Sequence, residues 1–224
     1  MQANKRMGRT GVAVLSAALV LPGFLMLAPG VARGAPSPRE VVEGNSERVL
    51  AILNSGDSDD EKIKRLQEIA YTTIDFDTVS RLVLAKYWKQ FTPEQRQQFE
   101  DEFKRALTVS YGRRIGQFGQ EKVVLLGERQ EPLGDVTVQS HIVGGKAGDI
   151  KVDYRLRQKD STWYVIDVIV EGVSIVSSYR TQFQEIIGQG GPERLLAELH
   201  QKNTSGEGLA PVETTAKDGS STAQ

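Results

Sequence analysis

Side chains that commonly carry out catalysis are scarce in this sequence. It contains two histidines, His141 and His200, and no cysteine. The histidines are far apart in sequence and neither has a partner at a spacing typical of metal ligands, so we expect no metal site and no catalytic histidine. Disulfides and thiolate metal sites are excluded without cysteine. Glycine-rich phosphate loops and nucleophile elbows are also absent, and the sequence therefore predicts no cofactor.

One carboxylate is a candidate general base. Asp167 lies in the middle of the apolar segment 163–170. An ionised carboxylate in such a segment needs a partner, or its pKa is raised. One hypothesis is therefore a small α+β enzyme with an apolar pocket and Asp167 as its base. The structural alternative is that Asp167 pairs with Arg155 or Arg157 on a neighbouring strand.

The segment around Asp167 is apolar on both faces if it forms a strand. A period of two places Trp163, Val165 and Ile169 on one face. The other face then carries Tyr164, Ile166, Val168 and Val170. Such a strand is expected at the centre of a sheet, covered by helices on both sides, or by helices on one side and an apolar ligand on the other.

Three helices are predicted before this sheet. The first covers residues 39–53, and the second starts at a capping box formed by Ser58 and Glu61. A short third helix is expected over residues 76–84, directly after Asp75. The apolar stripe of the second helix consists of Ile63, Leu66, Ile69 and Ala70.

A fourth, long helix has the clearest start signal in the chain. Thr92 can cap it, Pro93 suits its first position, and Gln95 can bond back to the cap. We expect this helix to end near Gly116 or Gly119. One of its faces is apolar and carries Phe99, Phe103, Ala106, Leu107 and Tyr111.

The hydrophobic period then changes to two. It does so in four segments, which are residues 123–126, 136–142, 150–156 and 163–170. Short turns between them predict a four-stranded antiparallel sheet. Helices are expected to resume at Val173 and again after Gly191. On the third strand the charged residues should face water or a polar rim; these are Lys151, Asp153, Arg155 and Arg157. The order of elements predicts an α+β domain.

The ends of the chain differ in composition from the middle. Residues 1–34 combine a basic start with an uncharged apolar run and small residues, which predicts a cleaved signal peptide and export. Its removal would take four basic residues from 28 and leave 24 against 29 acidic ones, a balance that argues against nucleic acid as a partner. Residues 203–224 have the composition of a disordered tail. Residues 35–202 remain as one domain.

The passage from strand to helix at residues 163–174 resembles the signature of the MlaC family of periplasmic phospholipid-binding proteins. Further similarities occur in the same order along residues 39–202. They are Asp75-Phe76-Asp77, residues 84–88, Phe91 to Gln95 with Phe99 and Phe103, Tyr111, Tyr179-Arg180 and Phe183.

This resemblance implies a periplasmic carrier that holds a glycerophospholipid by its acyl chains in an apolar pocket between helices and sheet. It further implies two partners, an outer-membrane complex that contains a lipoprotein and an inner-membrane ABC lipid transporter, and a role in outer-membrane lipid asymmetry. On this interpretation the residues that contact the lipid tails are Phe103, Leu107, Tyr111, Ile142, Val152, Tyr154, Val165 and Ile169. A non-catalytic adaptor, in which all of these residues are ordinary core, stays open beside the enzyme hypothesis.

Overall fold

The computed structural model describes residues 35–112, 121–145 and 148–210. The predicted signal peptide lies outside these ranges. The helices are α1 Pro38–Leu53, α2 Asp59–Thr73, α3 Phe76–Leu84, α4 Pro93–Gly112 and α5 Ile175–Ser205. The strands are β1 Lys122–Gln130, β2 Val136–Val143, β3 Ile150–Lys159, β4 Thr162–Val170 and β5 Val173–Ser174.

The predicted α+β fold is confirmed, with one strand more than expected. The strands form one antiparallel sheet in the order β1-β2-β3-β4-β5. The additional strand is β5, which occupies the position where a helix was expected to begin. Glu171 and Gly172 both have positive φ, at 50° and 81°. This backbone is that of a two-residue hairpin turn, so the chain pairs briefly with β4 before α5 starts at Ile175.

Local capping signals place the helix starts as predicted. Ser58 and Glu61 form the capping box of α2. At the start of α4, the backbone N–H of Gln95 donates to Thr92 Oγ1 over 3.2 Å, and the Thr92 N–H donates to Gln95 Oε1 over 3.0 Å. Asp75 caps α3 by accepting from the Thr78 N–H. The predicted end of the fourth helix near residues 116–119 lies outside the described residues.

Aromatic side chains from α4 and α5 make up the centre of the helical core. The rings of Phe103 and Tyr179 meet edge to face with centroids 5.5 Å apart, and those of Phe99 and Phe183 do so at 5.7 Å. All four side chains are buried. This geometry is favourable for aromatic pairs beyond the area that they bury, so α4 and α5 are held together firmly.

A bulge interrupts the pairing of β4 with β3. Leu156 lies opposite Val165, whereas Arg155 lies opposite Asp167. Ile166 is therefore an extra residue on β4, and it is completely buried. A bulge of this kind shifts the alternation of side chains along the strand.

Because of the bulge, the predicted assignment of faces on β4 is wrong. Val168 lies opposite Tyr154, and it therefore shares the face of Val165. Ile169 lies opposite Asp153, which places it on the other face. The strict period of two assumed from the sequence fails between these positions.

The charged face of β3 is less solvated than predicted. Arg155 and Arg157 both pair with Asp135, whose side chain is fully buried, at distances of 2.8 Å and 2.7 Å. The hydrogen bond from Arg157 to this carboxylate raises the pKa of the guanidinium. Asp153, which was expected to face water or a polar rim, is only 5% exposed. It lies on a central strand between Gln139 and Ile169 of the neighbouring strands, which shield it.

The last helix extends beyond the predicted domain boundary at residue 202. It has a break at Gly190 and Gly191, near where a new helix was predicted, and then continues to Ser205. Leu209 is buried, and its N–H donates to Ser110 Oγ over 2.6 Å. Ordered chain therefore reaches at least this residue, and residues 211–224 of the predicted tail lie outside the described ranges. Within those ranges, no helix is long and apolar enough to cross a membrane.

The buried carboxylate of Asp135 should contribute strongly to stability. Asp135→Ala leaves two partly buried guanidinium groups without their partner, and we expect a loss of about 2 kcal/mol in the free energy of unfolding, measured with urea. The control is Glu198→Ala, which removes an exposed pair with Arg194 and should cost less than about 0.5 kcal/mol. Equal losses in the two variants would contradict a special role for Asp135.

Candidate functional site

Two apolar cavities lie on either side of helix α2. The helical cavity has a volume of about 340 Å³ and is enclosed by α2, α3, α4, β4 and the start of α5. The sheet cavity has a volume of about 250 Å³ and lies between α1, α2 and the sheet. Ligand pockets usually measure about 300–1,000 Å³; the helical cavity is within this range, the sheet cavity is slightly below it, and both have mainly apolar linings.

The two cavities share a wall. Five residues line both of them: Leu66, Ala70, Ile74, Val165 and Val168. The first three belong to α2 and the turn that follows it, and the other two to β4. The cavities are therefore adjoining compartments, with α2 and β4 between them.

Five of the eight predicted lipid-contacting residues line the cavities. Leu107 and Tyr111 line the helical cavity, Ile142 and Tyr154 line the sheet cavity, and Val165 lines both. Burial raises the pKa of the Tyr154 phenol to about 12, so this side chain is a neutral part of the wall.

The other three predicted residues lie elsewhere. Phe103 is part of the aromatic core between α4 and α5. Val152 is buried in the sheet opposite Ser140 and Val170. Ile169 lies on the opposite face of β4 because of the bulge. None of the three is among the residues that line either cavity.

Sequence reasoning missed the contribution of the first two helices. Val49 and Leu53 of α1 line the sheet cavity, and Leu66 and Ala70 of α2 line both cavities. Their apolar spacing was visible as a helical stripe. A stripe of this kind predicts burial but does not distinguish contact with protein from contact with an internal cavity.

Asp167 lines the helical cavity, but its carboxylate is bound to the start of α5. Asp167 Oδ2 accepts from the Ser174 hydroxyl at 2.5 Å, and Oδ1 accepts from the Val176 N–H at 3.1 Å. The predicted pairing with Arg155 or Arg157 is wrong, since both arginines bind Asp135. Burial raises the pKa of Asp167 in spite of its hydrogen bonds.

Apart from Asp167, the polar side chains of the helical cavity lie on α2 and α4, and the partly exposed gap between these two helices is here called the opening of the cavity. Tyr71 is 45% exposed, and its hydroxyl lies 3.4 Å from Thr108 Oγ1 across the opening. Lys104 Nζ lies 2.5 Å from Glu100 Oε1 and 5.2 Å from the centre of the Phe76 ring. The deeper wall, by contrast, is apolar and buried, as at Val79 and Ile166.

The described residues offer no metal site at this opening or elsewhere. No group of three or more His, Cys, Asp or Glu side chains within the described ranges is placed to hold a metal ion. The arrangement instead provides apolar volume with a polar edge, which suits an amphipathic ligand.

This chain is similar to proteins named for phospholipid transport and toluene tolerance. A family model described as MlaC protein matches residues 43–201. The toluene tolerance protein ttg2D of Pseudomonas putida is 26% identical over 189 residues, which cover 82% of this chain and 84% of that protein. The intermembrane phospholipid transport system binding protein MlaC of Haemophilus influenzae is 21% identical over 196 residues, with coverages of 81% and 88%.

A solved structure has the same fold. It is a phospholipid-binding protein from Ralstonia solanacearum, determined in complex with a phospholipid. Its TM-score to this chain is 0.67 at 24% sequence identity. The similarity covers 75% of this chain and 97% of that protein, so it extends through essentially all of the solved domain.

The raised pKa of Asp167 predicts a stability difference that depends on pH. A carboxyl whose pKa is higher in the folded state stabilises the fold only while it is protonated. For Asp167 this contribution is lost as the pH rises above 3.8, the ordinary pKa of an aspartate, and through the raised pKa of the folded state. Asp167→Asn cannot ionise. We therefore expect the wild type to lose stability relative to Asp167→Asn as the pH rises through the acidic range. The measurement is the free energy of unfolding of both proteins, obtained with urea at several pH values. A gain of wild-type stability relative to Asp167→Asn as the pH rises would contradict the assignment.

Proposed function

This chain belongs to the MlaC protein family, and from that membership and its two cavities we propose that it binds a glycerophospholipid by the acyl chains. The observation that carries the proposal is the pair of adjoining apolar cavities with a shared wall. A diacyl lipid presents two tails that diverge from one glycerol. Two compartments on either side of α2 match that shape, with one tail in each.

The energetics explain why a carrier is needed. At about 0.8 kcal/mol for each methylene, two acyl chains with roughly 30 methylenes carry on the order of 24 kcal/mol of transfer free energy. A lipid does not cross water at a useful rate against such a barrier. A protein that covers both tails lowers it, while the head group can remain at the opening between α2 and α4.

The proposed role is transport through the periplasm. The predicted export signal and the names of the relatives support this location. On this proposal the protein exchanges phospholipid with an inner-membrane ABC lipid transporter and an outer-membrane complex that contains a lipoprotein, and so contributes to lipid asymmetry of the outer membrane. Binding alone shifts no equilibrium, so each partner must change the affinity of the cavities for lipid.

We further propose that the protein is a carrier and not an enzyme. Asp167 was the best candidate for a general base. Both of its carboxylate oxygens accept hydrogen bonds at the start of α5, from the hydroxyl of the N-cap residue Ser174 and from the Val176 N–H, and these contacts give the residue a structural role. Its place in the cavity wall is then a consequence of where α5 begins.

The first test is the composition of the purified protein. Protein isolated from cells under native conditions should contain phospholipid in stoichiometric amount, detected by mass spectrometry after extraction with organic solvent. The reason is that apolar cavities exclude water and bind apolar groups, and the tails of a phospholipid are the apolar groups that the proposal places in them. Recovery of protein without stoichiometric phospholipid would overturn the proposal, and would leave the enzyme or the adaptor as the better hypothesis.

The second test reduces the volume on both sides of the shared wall. Ala70→Trp places a large ring where both cavities meet, and we expect about tenfold weaker phospholipid binding, seen as less phospholipid per protein by mass spectrometry, because the ring and the lipid tails compete for the same volume at a cost of about 1–3 kcal/mol. The matched control is Ala197→Trp on the exposed side of α5, which should keep normal lipid content. Thermal unfolding verifies that both variants are folded. Normal lipid content in folded Ala70→Trp would contradict binding in these cavities.

A further inference from the structure

The helical cavity has a single cationic group at its opening. Among the described residues that line either cavity, Lys104 alone carries a positively charged side chain. Its side chain is 25% exposed, and its ammonium lies against the Phe76 ring in the cavity wall. The charge is therefore placed at the boundary between the apolar volume and water.

Hydrogen-bond donors remain available at this boundary. An ammonium has three N–H donors, and Glu100 provides an acceptor for one of them. Thr108 donates its own hydroxyl proton to the Lys104 carbonyl over 3.0 Å, so Tyr71 must be the donor in the contact between their hydroxyls. At 3.4 Å that contact is at the long limit for a hydrogen bond, and the phenol can turn towards a better acceptor.

We propose that the phosphodiester of the bound phospholipid accepts hydrogen bonds from Lys104 Nζ and from the Tyr71 hydroxyl at the opening between α2 and α4. This inference rests on the proposed function. It adds that the protein recognises the phosphate of the lipid as well as its tails. A phosphate is an anionic acceptor, and a lysine ammonium is a usual partner for it.

Two carboxylates near the proposed contact affect it differently, because one is already bound elsewhere and the other is bound to Lys104. Asp167, the acidic residue in the same cavity wall, is bound to Ser174 and Val176 on the side of α5. Glu100 competes with the phosphate for the ammonium of Lys104. The contact is consequently moderate, as a carrier that must release its lipid requires.

The test compares two ligands with the same tails. Dioctanoyl-phosphatidylglycerol contains the phosphate, and dioctanoylglycerol lacks it. For the wild-type protein, freed of co-purified lipid, we expect about tenfold tighter binding of the phospholipid than of the diacylglycerol. Lys104→Met should lower the affinity for the phospholipid by about tenfold and leave that for the diacylglycerol unchanged.

Three further variants make the comparison specific. Lys104→Arg keeps the charge and should retain most of the preference for phospholipid. Tyr71→Phe removes one hydroxyl and should weaken only phospholipid binding, by about threefold. Lys64→Met removes an exposed lysine of α2 that does not line the cavity, and should change neither affinity.

The possible results separate this inference from the proposed function. Wild-type protein that binds neither lipid contradicts the proposed function itself. Equal wild-type affinities for the two lipids would overturn the phosphate contact alone. An equal loss of affinity for both lipids in Lys104→Met would do the same, since it would mean that the substitution disturbs the cavity wall and not a contact with the phosphate. If Lys104→Met fails to fold by circular dichroism, unchanged phospholipid binding in Tyr71→Phe overturns it instead.

Discussion

The junction between α2 and α3 is tied to β4 by a backbone hydrogen bond. The bulge at Ile166 is next to Val165, whose carbonyl accepts from the Asp75 N–H at 3.1 Å. Ile74 also forms an isolated bridge with Val165. These contacts hold the junction between α2 and α3 against β4, and α2 extends from that junction as the wall between the two cavities. A change in this junction would alter both compartments together.

The distribution of packing around the cavities fits a protein that holds and releases an apolar ligand. The interlocked rings of α4 and α5 form a rigid core on one side, and protein interiors of this kind are close-packed. Unfilled apolar volume has no such contacts and costs stability. A lipid that occupies the cavities would restore contacts and stabilise the folded state by mass action. If the protein binds lipid as proposed, its stability and its lipid binding depend on the same residues.

Two buried carboxylates that could suggest chemistry have structural partners. Asp135 is held by two arginines of β3, and Asp167 binds the N-cap residue Ser174 and the Val176 N–H at the start of α5. Asp167 was ambiguous in the sequence because a buried acid can be a catalytic base or half of an ion pair. The identity of the partner decides between these roles, and the two arginine partners of Asp135 lie 20 and 22 residues away along the chain. Only the register of the strands brings them together.

The sequence by itself determined the starts of α2, α3 and α4, the α+β order and the apolar character of β4, because these depend on residues within a few positions of one another. The capping pairs Ser58–Glu61 and Thr92–Gln95 are three residues apart, and both form as predicted. Five of the lipid-contacting residues predicted with the family resemblance line the cavities: Leu107, Tyr111, Ile142, Tyr154 and Val165. The tertiary structure alone decided the face of Ile169 and the part played by α2. The face of Ile169 depends on a bulge, and a bulge depends on pairing with another strand. The part played by α2 could not be predicted because an apolar helix stripe packs equally well on protein or on lipid.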